Sequence, residues 1–147
     1  VVTETFPADS ELWQAAKGIY AGDLPLKQGG ILVTVTPCPE GVAQGHPELS
    51  EIGYLPFQQV KDMVDRGEFD DLTMAAHIVH VGRIIRDKGK GIIVCPGIER
   101  STSEKLGFIF AETPQEGIDR ALSMAGPGAK IIVLKNGGDI LPLYSPK

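Results

Sequence analysis

Apolar residues gather into short Val/Ile-rich runs at Val1–Thr5, Ile31–Thr36, Gly91–Cys95 and Lys130–Leu134, and nothing else in the chain constrains the fold as tightly. The runs read as strands buried on both faces, which points to a parallel sheet. Helical patterns lie between them: Ser10–Tyr20, Phe57–Val64, a longer stretch over Asp70–Asp87, a short one after Ser101, and Pro114–Ala125. Strands alternating with helices predict an α/β layered domain, a mostly parallel sheet flanked by helices in the Rossmann or flavodoxin manner, joined by right-handed crossovers.

The last helix carries the clearest end signals. Thr113-Pro114-Gln115-Glu116 combines a Thr N-cap, a Pro at the first helical position and a Glu three residues after the cap, a capping box. Ile118, Ala121, Leu122 and Ala125 supply an apolar stripe, and Gly126-Pro127 ends it. Ser101-Thr102-Ser103-Glu104 repeats the box pattern at the shorter helix. The long connection Pro37–Pro56 is rich in Gly and Pro and leaves the carboxyl end of a strand, where long loops are functional or mobile.

With 147 residues, 42% hydrophobic and 22% charged, the chain is expected to be a single domain, 1–147, with a proper core. A net charge of −5 argues against a nucleic-acid partner, which needs a clustered basic face. No run approaches the roughly 18 apolar residues of a membrane span, and no signal peptide opens the chain. The two cysteines, Cys38 and Cys95, make no disulfide framework, so a cytoplasmic location is expected. The first residue is Val1 within a strand-like run, which suggests a piece of a longer protein.

Directly after the first strand comes Phe6-Pro7-Ala8-Asp9-Ser10-Glu11-Leu12-Trp13-Gln14-Ala15-Ala16-Lys17-Gly18. Leu12, Ala15, Ala16 and Ile19 fall on one helical stripe, which leaves Trp13, Gln14 and Lys17 off it. An aromatic, an amide and an ammonium thus share the flank of a helix that follows a strand, where open α/β sheets bind ligands. The same spacing also fits a half-buried tryptophan beside two solvated side chains.

Other constellations are weaker. His77 and His80 stand at i, i+3 and could face one way as metal ligands, but a zinc site needs at least three, and a packing boundary accounts for them as well. Cys38 and His46 share the long loop, yet Pro37-Cys38-Pro39 offers no activator for a thiolate. His46, in Gly45-His46-Pro47 at the predicted site face, is a candidate ligand contact. The Gly29-Gly30 and Gly137-Gly138 pairs form no phosphate-cradling motif.

Taken together, these residues resemble the C-terminal domain of the nickel-pincer lactate racemase family. The resemblance rests on Trp13-Gln14-Ala15-Ala16-Lys17-Gly18 after a Pro-containing turn, then Gly29-Gly30-Ile31-Leu32-Val33. Cys38-Pro39-Glu40-Gly41, Gly45-His46-Pro47, Val81-Gly82-Arg83-Ile84-Ile85 and Ala129–Leu134 with Gly137-Gly138 follow in order. It implies a role as the substrate-contacting C-terminal domain of a nickel-dependent racemase or epimerase of 2-hydroxy acids, acting by reversible hydride transfer. Lys17 would hold the substrate carboxylate, Gln14 would add hydrogen bonds, and Trp13 would wall the pocket where the family more often has Tyr. The nickel-pincer nucleotide and the acid/base histidines would belong to an N-terminal catalytic domain, leaving no catalytic or metal-binding residue here and an isolated chain that is inert. Two other readings fit the same residues. One is a non-catalytic small-ligand-binding or regulatory α/β domain; the other is an assembly domain anchored by Trp13.

Overall fold

The computed structural model describes residues 1–143. A five-stranded sheet runs in the order β4-β3-β2-β1-β5, with β1 at Val2–Glu4, β2 at Ile31–Val35, β3 at Lys90–Val94, β4 at Ile109–Phe110 and β5 at Val133–Leu134. Every pairing is parallel. The helices are α1 (Leu12–Asp23), α2 (Leu49–Ile52), α3 (Phe57–Asp65), α4 (Leu72–Gly82), α5 (Arg100–Lys105) and α6 (Pro114–Ala125). α4 runs on into a π-helical segment, Arg83–Lys88. The α/β layered architecture expected from the alternation is the one observed.

Side chains divide between the sheet faces by the two-residue period of a strand. Leu32 and Ile93 join Leu12, Ala15, Ala16, Ile19, Ile78 and Val81 in the larger core, under α1 and α4. Ile31, Val33, Ile92 and Val94 point the other way, with Ala121 of α6 packed against them. α6 approaches β2 and β3 closely because of Gly117. A Cβ there would lie 3.0 Å from a methyl of Val33 and 3.3 Å from one of Val94. The predicted stripe of α1 is fully buried.

Strands β1 to β4 step in one direction across the sheet and β5 returns to the far side of β1, so the order reverses between β1 and β5. Ligands of doubly wound folds bind outside the carboxyl ends of the strands at such a point. Here the loop after β5 fills part of that end. The Asn136 N–H donates to the Glu4 carboxylate, and the Gly137 N–H donates to the Glu4 carbonyl at 3.0 Å.

Several boundaries differ from the sequence reading. The Lys130–Leu134 run is not a strand buried on both faces: β5 keeps only Val133–Leu134, and Ile131, Ile132 and Val133 are 48%, 43% and 64% exposed. The reason is its place at the sheet edge, where α6, which covers β2 and β3, does not reach. Ser101 does not cap α5. Its N-cap is Glu99, and Ser103 is buried with its hydroxyl unpartnered. β4 and the single-turn α2 are too short to show a period in the sequence. In α6 the predicted Thr113 cap forms, accepting from the Glu116 N–H at 3.2 Å. The returning Glu116 carboxylate takes the N–H of Glu112, one residue before the cap.

Candidate functional site

The first turn of α1 follows the carboxyl end of β1 and is held there by the long loop that leaves β2. The Leu12 and Trp13 N–H groups donate to the carbonyls of Gly41 and Val42 at 3.0 and 2.9 Å. In return, the Cys38 and Glu40 N–H groups donate to the carbonyls of Asp9 and Ser10 at 3.1 and 2.9 Å, and the Gln44 N–H donates to the Glu11 carboxylate at 2.8 Å. The loop is therefore laced to the α1 entrance by main-chain groups. Part of the helix's quota of unpaired N–H groups is spent on that lacing and is closed to a ligand anion.

This lacing brings His46 over Trp13. The two rings stack at 4.1 Å between centroids and 18° between planes. On the opposite face of the indole lies His77 of α4, at 3.8 Å and 17°. One turn or two further along, Tyr20 of α1 stacks on His80 of α4 at 3.9 Å and 9°. Trp13 and Tyr20 are seven residues apart and His77 and His80 three, so each pair makes a row along its own helix, and the rows face each other.

His77 is the fixed member of this cluster. Its Nδ1 lies 3.2 Å from the Tyr20 hydroxyl and its Nε2 3.2 Å from the hydroxyl of the fully buried Tyr54. A neutral imidazole has one donor and one acceptor nitrogen, so one tyrosine accepts and the other donates. Burial first, then the neighbouring His46 and His80, pull the His77 pKa down to about 4. Burial likewise pushes Tyr20 up to about 12 and Tyr54 well above the usual phenol range. All three groups are therefore neutral at physiological pH.

Gln14 and Lys17 sit beside this stack. Lys17 is exposed, and its Nζ donates to Gln14 Oε1 at 2.9 Å. Among the described residues no carboxylate pairs with it. The structure thus gathers all four candidates, Trp13, Gln14, Lys17 and His46, at one corner. It adds His77, whose spacing alone fits a packing boundary, and Tyr20 and Tyr54, which no sequence motif marks. The matching seven- and three-residue spacings on α1 and α4 were the available signal, but only the fold shows that the two rows meet.

The remaining candidates take structural positions. Both cysteines are free and buried. The Cys38 thiol lies 3.2 Å from Thr36 Oγ1, and the hydrogen bond with Cys95, together with burial, raises its pKa far out of the nucleophilic range. No group of three His, Cys, Asp or Glu able to hold a metal ion occurs among the described residues, and both His77 nitrogens are committed to tyrosines. No helix among them is long and apolar enough to cross a membrane. A concavity of about 560 Å³ lies at the opposite end of the strands. Val1, Val2, Leu26, Ala121, Leu122 and Ile132 are among its lining residues, and none of the candidate residues is.

The solved structure of the lactate racemase apoprotein from Thermoanaerobacterium thermosaccharolyticum has a similar fold, with a TM-score of 0.79 over 95% of this chain at 22% identity. The chain spans about a third of it (34%). Transcription elongation factors GreA from Rickettsia felis and Rickettsia conorii are each 28% identical over 109 residues, 71% of this chain and 67% of theirs. That similarity is too low to set a family. The sequence profile of the lactate racemase C-terminal domain matches residues 1–141, nearly every residue that builds the sheet, the laced loop and the ring stack, and the chain belongs to that family.

Proposed function

We propose that this chain is the substrate-contacting C-terminal domain of a racemase or epimerase of 2-hydroxy acids, working with an N-terminal catalytic domain of the same protein. The observation that carries the reading is the Lys17–Gln14 pair. An ammonium without a carboxylate partner and an amide already oriented toward it stand on one exposed flank, beside an immobilised aromatic ring.

Lys17 supplies a compact charge with three donors for the substrate carboxylate. Gln14 Oε1 already accepts from Lys17, and its NH₂ group is the donor it would offer a carboxylate or hydroxyl oxygen. The edge of Trp13 bounds the space beside them, and His46 forms its outer rim. Holding the substrate by its carboxylate is what a racemase requires of such a domain. The carboxylate is common to both enantiomers, so one grip serves both directions.

The family implies a nickel-pincer nucleotide and reversible hydride transfer. The described residues do not fit that group: no three ligating side chains converge, His77 is satisfied on both nitrogens, and the cysteine thiols are buried. In this reading the cofactor and the acid/base groups belong to the N-terminal domain, and this chain binds and orients.

The test is a chiral assay of the complete, cofactor-loaded protein against D- and L-2-hydroxy acids. In the Lys17→Ala variant, kcat/KM should fall at least about 100-fold, in line with loss of a charge-assisted contact. Its thermal melt should stay unchanged, because Lys17 is exposed. Full activity in the variant would remove Lys17 from the site. Absence of racemisation in the wild type, with a ligand still bound to the 147-residue chain, would favour a binding module instead.

A further inference from the structure

Resting on the reading above, we propose that His46 determines which substrate side chains the site accepts: it occupies the outer face of Trp13 and so restricts the enzyme to short, non-aromatic 2-hydroxy acids. Both faces of the indole are covered at ring-stacking distance, 4.1 Å by His46 and 3.8 Å by His77. No planar group can enter between rings at that separation, so a substrate held at Lys17 and Gln14 meets only the edge of Trp13.

The two covers are not equivalent. His77 is buried and pinned by Tyr20 and Tyr54. His46 is only partly buried, and its imidazole has Glu48 at 3.6 Å. The loop beneath it is held by main-chain bonds at Cys38, Glu40, Gly41 and Val42 and by the Gln44 N–H on the Glu11 carboxylate, none of which uses the His46 side chain. Removing the imidazole therefore leaves the loop in place and opens a slot one ring thick against the indole. An aromatic ring on the α-carbon of a hydroxy acid can fill such a slot, and offset stacking on tryptophan favours it there.

The experiment compares wild type, His46→Ala and His46→Phe. Trp13 is the sole tryptophan, so acrylamide quenching of its fluorescence in the 147-residue chain reads the exposure of that one ring. The quenching constant should at least double in His46→Ala and stay near wild type in His46→Phe, which restores a ring. In the complete enzyme, the ratio of kcat/KM for mandelate to that for lactate should rise at least about tenfold in His46→Ala and not in His46→Phe.

An unchanged quenching constant in a folded His46→Ala chain would show that His46 does not cover Trp13, and would overturn the proposal. So would an unchanged substrate ratio in an enzyme that turns over lactate normally, and in that case the racemase reading stands. A wild-type enzyme silent toward every 2-hydroxy acid overturns that reading, and this proposal with it.

Discussion

His77 illustrates how one side chain ties a local energy to the position of the site. Its imidazole is kept neutral by burial down to about pH 4, whereas in the unfolded chain it protonates near the ordinary value of 6.5. Between those values the unfolded state binds the proton and the folded state does not, so stability falls as pH drops from 6.5 toward 4 and is unaffected above that window. The shift corresponds to on the order of 3 kcal/mol. A His77→Phe variant keeps a ring against Trp13 but has no proton to gain. Urea unfolding at pH 7 should show it less stable by about 1–3 kcal/mol, because the Tyr54 hydroxyl loses its buried partner. Between pH 6.5 and 4 it should lose less stability than wild type by about the amount assigned to His77. Parallel pH profiles would show that the imidazole is not the titrating group.

Among the elements, α1 and α6 were the most legible. Leu12, Ala15, Ala16 and Ile19 are buried as their spacing required, and α6 spans the predicted Pro114–Ala125. Their determinants lie within one helix, the stripe for α1 and the cap and stop for α6, whose predicted stripe is only partly covered, with Leu122 and Ala125 exposed. What could not be read depends on distant partners. β5 looks like a buried strand by composition, and only the sheet order reveals it as an edge. The Trp13–His46 contact needs the loop after β2 to lie against the start of α1, an arrangement set mostly by backbone bonds that carry no side-chain signature. α6 also gives a prediction of its own. Gly117→Val places branched methyls where Val33 and Val94 already sit, and should lower stability by about 1–3 kcal/mol in denaturant unfolding. A variant as stable as wild type would mean that α6 can lift from the sheet without penalty.

At the scale of the molecule, the two ends of the sheet differ in character. The carboxyl end carries the polar corner with Lys17 and Gln14. The groove toward the amino end is lined by Val1, Val2, Leu122 and Ile132, with Ile131 and Val133 exposed nearby. Because α6 covers β2 and β3 and leaves β5 open, the exposed Ile132 adds little to folding. Ile132→Ser should shift stability by no more than about 0.5 kcal/mol, and a loss above about 2 kcal/mol would place that residue in a core. The laced loop has a different consequence, one of heredity. Its course is written mostly in peptide groups, so substitutions at its exposed side chains, away from Gly41 at φ 83° and the Glu11 carboxylate that takes the Gln44 N–H, can change what the site meets without changing where the site is. A lineage could revise the chemistry of this corner one codon at a time, with the scaffold held constant beneath it.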